Sequence, residues 1–300
     1  MAAKDRPVAN VFIEGQLDKG LQRIAEGING DVLTFCGAIT YGSDLQIRDA
    51  IESIERPRKQ RIGFILDTSG GYIVVAERIA NILRSKYRYV EFIVPDAAMS
   101  AGTVLVMSGD RIHMDYFSVL GPIDPQVERP DGSFVPALGY LHQYERLVEK
   151  SRTGTLTTAE LAFLVQRFDP AELYSYEQAK DLSVSLLKKW LVKYKFKNWK
   201  RTQTRRTKVT NKMREARADE IANVLTDTKI WKSHSRGIPM AVLRRRLKLQ
   251  IEDFGENTKL AKPVRSYYDL LQDYMNKTQQ AGVVHTIGRY TPLTWRRGHA

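Results

Sequence analysis

Two strand-like runs, each ending on small and polar residues and handing over to a helix-like segment, constrain this chain most. Ile62 to Leu66 is apolar and is followed by Asp67-Thr68-Ser69-Gly70-Gly71, after which Tyr72 to Arg84 reads as helix. Tyr89 to Val94 is β-branched and aromatic, and a second helix opens at Ser100 within Ala98-Met99-Ser100-Ala101-Gly102. Strands alternating with helices predict a parallel sheet with right-handed crossovers. Ligands of such sheets bind beyond the carboxyl ends of the strands, where both turns fall. The first turn of a helix leaves its amides unpaired. A serine hydroxyl at one turn and a glycine amide at the other are therefore parts that acyl transfer requires, a nucleophile and an oxyanion donor. Singly, Gly70-Gly71 reads as an ordinary turn and Ser100 as an ordinary N-cap. Their order and the small residues around Ser100 give the second segment the character of a nucleophile elbow, where helix and strand approach closely.

These residues carry a resemblance. The chain is similar to the Clp protease/crotonase superfamily, within the group that includes signal peptide peptidase A and the serine dehydrogenase proteinases. Thr68-Ser69-Gly70-Gly71 resembles the oxyanion loop of that group, and Ala98-Met99-Ser100-Ala101-Gly102-Thr103 its nucleophile segment. Val119-Leu120-Gly121-Pro122-Ile123-Asp124-Pro125-Gln126 resembles the loop that closes the site in the serine dehydrogenase proteinase branch. The resemblance covers roughly residues 30 to 200. It implies an α/β fold, a Clp/crotonase-like parallel sheet with flanking helices, followed by a helical C-terminal extension. It also implies peptide-bond hydrolysis through an acyl-enzyme on Ser100, with the Gly71 and Ala101 amides holding the oxyanion. A polypeptide substrate and a homo-oligomer that restricts access to the site follow from the same resemblance; no metal or organic cofactor does.

Composition agrees with a folded enzyme-sized chain. Three hundred residues with 43% apolar content can bury a full core. The single cysteine, Cys36, excludes an intramolecular disulfide framework, fits a reducing compartment, and falls in the apolar run Val32 to Ile39 as a core residue. Met1 to Asn10 has no apolar core segment, and no run of about 20 apolar residues occurs. A cytoplasmic chain without a transmembrane segment is expected, a departure from relatives that carry a membrane anchor. The net charge of +13 is concentrated in Lys188 to Arg214, which holds twelve Lys/Arg, no Asp or Glu, and Trp190, Tyr194, Phe196 and Trp199. Such a segment suits nucleic acid or an anionic membrane surface, or simply packs its rings on the body of the protein.

Four regions follow: an N-terminal arm over 1–30, a catalytic domain over 31–187, a basic connector over 188–214, and a helical C-terminal region over 215–300 with a loose tail from about 282. Ser43 reads as an N-cap, Pro130 to Ser133 as a hairpin tip, and Thr157-x-x-Glu160 as a capping box.

A serine hydroxyl needs a base. Related cylindrical proteases place a histidine about 25 residues after the serine, and Ile123-Asp124-Pro125 stands there in this chain. His113 lies within an apparent strand and reads as structural. The anchored and dehydrogenase-type relatives resemble a Ser-Lys arrangement, and a lysine serves if burial lowers its pKa. Lys150 is the candidate taken here, with Lys180 and the imidazole of His142 as alternatives. Asp67 and Asp124 are the carboxylates nearest the crevice. Trp231 to Gly237 contains His234 without metal-ligand spacing, and reads as a loop-to-helix cap. The rival reading is a non-catalytic scaffold that uses 188–214 for an acidic partner; an acyl-CoA enzyme of crotonase type is a third, which would need no Ser100 nucleophile.

Overall fold

The computed structural model describes residues 7–123, 126–128 and 134–294. Its centre is a seven-stranded sheet. In chain order the elements begin with helix α1 (Val8–Ile28), strand β1 (Asp31–Cys36), α2 (Ser43–Ser53), β2 (Arg61–Asp67), α3 (Ile73–Lys86), β3 (Tyr89–Ile93), the short β4 (Ala97–Ala98), α4 (Ala101–Val106), β5 (Arg111–Met114) and β6 (Val119–Leu120). The hairpin pair β7 (Gln126–Glu128) and β8 (Phe134–Pro136) follows, then helices α5 (Ala137–Arg152), α6 (Thr158–Arg167), α7 (Pro170–Trp190), α8 (Asn211–Thr226) and α9 (Thr228–Trp231). The chain closes with β9 (Ile238–Pro239), α10 (Met240–Arg245), β10 (Glu252–Asp253), α11 (Ala261–Lys277), β11 (Gly282–Thr286) and β12 (Arg289–Leu293).

The sheet runs β10-β5-β3-β2-β1-β11-β12. Its first five strands are mutually parallel, while β11 is antiparallel to both β1 and β12. β1 and β2 are almost continuously buried, as strands covered by helices on both faces must be. One face carries the larger core, in which Phe35, Phe64 and Phe92 meet residues of α2, α3, α4, α7, α8 and α10. The other face packs Val32, Ile65 and Ile93 against α1 and α11. A second sheet, β4-β6-β9, lies past the carboxyl ends of the parallel strands. It is joined to β2 by a bridge between Thr68 and Ala98.

Two outer regions differ from the expectation. The N-terminal arm is a helix that buries Leu17, Leu21, Ile24 and Ile28 against α11 and the sheet. Those positions recur at helical spacing, so their apolar stripe needs a partner. The loose tail is the hairpin β11–β12, turning at Ile287-Gly288 and pairing His285 with Thr34. Burial of Val283 and Val284 in the sheet outweighs the loosening effect of Gly282 and Gly288. Ser43 is the first helical residue of α2 and makes no cap; its hydroxyl donates to the Thr40 carbonyl at 2.7 Å. The hairpin tip expected at Pro130 to Ser133 lies outside the described residues; the strands on either side pair antiparallel from Gln126↔Pro136 to Glu128↔Phe134.

Candidate active site

Ser100 stands where β4 gives way to α4, with φ 51° and ψ −119°. A non-glycine residue pays of order 1–3 kcal/mol to hold such a conformation, and does so only where the surroundings impose it. Its side chain makes no capping bond to the helix it precedes, so the ordinary N-cap reading fails. The surroundings that impose the turn are visible. Thr68 donates its amide to the Ala97 carbonyl at 2.8 Å, and Met99 donates back to Thr68 at 2.9 Å, fixing β4 beside the end of β2. Gly70 then passes directly under the serine: a Cβ there would lie 2.7 Å from the Ser100 Cβ and 2.9 Å from the Met99 carbonyl oxygen.

The Gly71 amide has a defined direction. Gly70 accepts from the Ile39 amide at 2.8 Å, and Tyr72 donates to the Ile39 carbonyl at 2.9 Å. In a trans peptide the carbonyl of one residue and the N–H of the next point oppositely. With the Gly70 oxygen on Ile39, the Gly71 N–H points away from Ile39. The extreme backbone of Gly71, φ 143°, goes with a close approach, because a Cβ would stand 2.2 Å from the Ile39 oxygen. The Ala101 amide is the first of α4 and, like that of Gly71, has no acceptor among the described residues.

Thr103 was not singled out from the sequence. Wholly buried in α4, it accepts from the Gly121 amide at 2.8 Å and donates to the Ala98 carbonyl at 2.7 Å. One hydroxyl thus ties the start of the closing loop to the strand preceding Ser100. Met99 seats against the same loop: a Cβ on Gly121 would be 2.8 Å from its Cε. A threonine inside a short apolar helix carries no sequence signal for this role.

The expected carboxylates and bases fall as follows. Asp67 does not cap its turn, since the Gly70 amide goes to the Thr68 hydroxyl at 3.0 Å. It is held from behind the sheet by Tyr268 and Gln272 of α11, at 2.8 and 3.0 Å. Burial, reinforced by the charge of Asp96, pushes its pKa up despite those donors. Asp124 lies outside the described residues. Lys150 is on α5 with its ammonium 2.5 Å from Glu160 Oε1, the same carboxylate that completes the capping box with Thr157. The Lys150 hydrogen bond, with the Thr157 amide, lowers the Glu160 pKa to about 2. His142 is exposed on the same helix, 3.9 Å from Glu145. His113 pairs with buried Glu91 at 2.9 Å within the sheet, a structural role as expected. Cys36 is a buried core residue whose thiol pKa burial pushes up.

His234 is the unexpected group. It makes no cap: both ring nitrogens are buried without a hydrogen-bond partner, and burial pushes its pKa down.

The basic segment divides in two. Trp190 and Phe196 are buried, and the partly buried Tyr194 and Trp199 pack on the larger core. Arg84 lies 3.8 Å above the Tyr194 ring, Lys197 pairs with Asp110, and Lys188 with Asp219. Burial lowers the Lys195 pKa to about 8. Lys200, Arg201, Arg205, Arg206 and Lys208 remain exposed around a bridge between Arg201 and Lys208.

Residues 33–204 match the family model of the ClpP-like SDH-type serine proteinases, and the chain belongs to that family. Two uncharacterized proteins of Methanocaldococcus jannaschii are relatives. MJ1495 is 31% identical over 172 residues, 56% of each chain, and MJ0137 is 35% identical over 153 residues, 48% of this chain and 51% of its own. The chain thus spans about half the length of these relatives. Among solved structures, a mutant of the 1510-N membrane-bound stomatin-specific protease in complex with a substrate peptide is 15% identical with a TM-score of 0.45, covering 88% of this chain and 86% of that one. A second mutant of that protease has the same identity and a TM-score of 0.43, with 89% and 92% covered. In this chain no helix among the described residues is long and apolar enough to cross a membrane.

Proposed function

We propose that this chain is a serine peptidase that hydrolyses polypeptides through an acyl-enzyme on Ser100, with the oxyanion held by the Gly71 and Ala101 amides. The observation that carries this reading is the backbone of Ser100, at φ 51° on a strand-to-helix turn whose side chain caps nothing. Strain of this kind turns a hydroxyl out of helix capping and toward a reacting carbon. The Gly71 and Ala101 amides, free of acceptors among the described residues, support the second half: such donors stabilise the oxyanion and are worth ~100- to 1,000-fold in turnover each. Membership of a serine proteinase family supports a peptide as substrate.

The Ser-Lys version of the site assigns the base to Lys150. An ammonium engaged by Glu160 has no lone pair for a proton, so this version requires Lys150 to leave Glu160 before the chemistry. The non-catalytic rival, a scaffold for an acidic partner, is favoured by the exposed basic residues of 200–208 alone.

A fluorophosphonate probe separates them. The expected result is labelling of the wild-type protein on Ser100 and none of Ser100→Ala, with peptide cleavage lost on the order of 10⁶-fold, the scale for removing a serine nucleophile. Equal labelling of both proteins, or cleavage that survives in Ser100→Ala, would remove Ser100 from the mechanism.

A further inference from the structure

The amino ends of the parallel strands, away from Ser100, gather cations from separate stretches of the chain. β2 opens on Arg61, β3 on Tyr89 just after Arg88, and β5 on Arg111. Arg61 pairs in register with Tyr89, and Glu91 with Arg111. Arg61, Arg88 and Lys197 all approach the Tyr89 ring, at 5.9, 5.4 and 5.1 Å from its centroid. Lys193 stands 5.2 Å from the centroid of Tyr194, the ring that also carries Arg84. Lys197 pairs with Asp110, immediately ahead of β5, so the basic connector is fastened to this end of the sheet. β2 has seven residues, about 20 Å at the rise of a strand, and that length separates these cations from the Ser100 turn.

Like charges this close repel one another, and buried acids hold them in place. The Glu91 and Asp110 side chains are almost buried, whereas Arg61, Arg111 and Lys197, which they attract, stay a third to a half exposed. The outward field is therefore positive. Lys200 follows Lys197 by three residues, so the turn over 200–208 begins within about 11 Å of it. Buried Val209 donates to the Lys200 carbonyl at 3.0 Å, and the Thr202 amide to the Thr207 carbonyl at 3.0 Å, which closes the turn and fixes its exposed cations beside the others. Arg88, Lys193, Lys200, Arg205 and Arg206 have no carboxylate partner among the described residues.

The kind of partner follows from what this end has and lacks. None of the exposed large apolar side chains among the described residues belongs to these segments; Tyr41, Val74, Tyr116 and Phe117 follow the carboxyl ends of β1, β2 and β5 instead. A protein partner is anchored by buried aromatic or apolar side chains, and a membrane surface takes up an apolar face. A phosphate backbone needs neither, and the interfaces that hold it are strongly positive. We infer that the amino end of the sheet and the 200–208 turn together bind nucleic acid through its phosphates, without reading its sequence. This surface is separate from the peptidase site, and Ser100 at the other end stays accessible when it is occupied.

The test follows the fluorescence anisotropy of two short DNA duplexes of unrelated sequence, titrated with the full chain at several salt concentrations. The expected result is equal affinity for both, with log K falling against log salt at a slope of about −4 to −6, as roughly five or six neutralised phosphates would give. Arg88→Ala, Lys200→Ala and Arg205→Ala together should weaken both complexes and flatten the slope by about 3, near one per cation. Lys19→Ala, Lys262→Ala and Lys277→Ala remove the same charge from α1 and α11 and should leave the slope within about 1 of the wild type. All of these side chains are exposed, so both variants should melt like the wild type and keep its rate of fluorophosphonate labelling. If the first variant melts early, Arg88→Ala alone decides, with an expected flattening of about 1. Failure to bind either duplex at low salt overturns the inference, as does an equal loss in the two triple variants, which would make the effect one of net charge. Binding to phosphatidylserine vesicles or to polyglutamate, but not to the duplexes, also overturns it and assigns the surface to a membrane or an acidic protein. Because binding is read without peptide cleavage, its failure leaves the peptidase reading untouched, and a chain that binds DNA but never labels on Ser100 leaves this one standing.

Discussion

At the scale of single residues, the site depends on side chains that hold others in place. Thr103 is the clearest case, because its one hydroxyl serves Gly121 and Ala98 together. Thr103→Val keeps the shape and removes both bonds, leaving the Gly121 amide buried and unpaired at a cost of about 1–3 kcal/mol. The expected outcome is a lower melting temperature together with slower labelling of Ser100, while Thr103→Ser, which retains the hydroxyl, restores the labelling rate. A Val variant that labels as fast as the wild type would make Thr103 a packing residue only. At this scale the sequence exposes part of the site. Gly70, Gly71 and Ser100 stand out because turns constrain residue type strongly. Thr103 does not, because its role comes from contacts made across the fold. Threonine fits a short helix as well as a hydroxyl staple.

Among elements, the parallel strands and the helices between them are legible in the periodicity of residues 31 to 114, since strands buried on both faces read as unbroken apolar runs. The additions at the two chain ends are not, although each has a local signal, because their partner is the other end. α1 meets α11, and β11 enters the sheet beside β1. Polar links join them as well: His285 lies 2.9 Å from the Tyr267 hydroxyl and 3.1 Å from Asp18 of α1, and Asp18 also accepts from the Gly288 amide at 2.9 Å. Burial alone would raise the Asp18 pKa, but the His285 and Gly288 hydrogen bonds and the His285 charge outweigh it and hold it below 3.8. A depressed folded-state pKa adds stability that is complete above the unfolded value and is lost as pH falls through the folded one. Asp18→Asn should therefore melt below the wild type at pH 6, with the gap closing as the pH falls below about 4. A gap that stays constant across that range would show that the carboxylate charge contributes nothing.

Over the whole molecule, the apolar surface is as unevenly placed as the charge. Helix α5 and the start of α7 share a small cluster of Leu141, Leu173 and Tyr176, separate from both sheet-covering cores. α6, packed beside them, buries no residue fully. Leu161, Phe163 and Val165 are 49%, 51% and 74% exposed, and Tyr174 at the start of α7 is 62% exposed. Scattered apolar residues on a surface need no explanation, but a run of them on one short helix marks a contact surface. α6 thus has the full Thr157–Glu160 capping box but no fully buried residue of its own. The homo-oligomer expected from the family resemblance would cover this surface with a second copy. Light scattering on the purified chain is then expected to give a mass above the 34.3 kDa of one copy. Phe163→Asp combined with Val165→Asp should bring it down to that of one copy, because two carboxylates cannot be buried unpaired at an interface. The variant should keep the wild-type circular dichroism, since neither side chain belongs to a core. A wild-type protein that already runs at the mass of one copy would leave α6 without this role, and a variant that stays assembled would move the interface to another face.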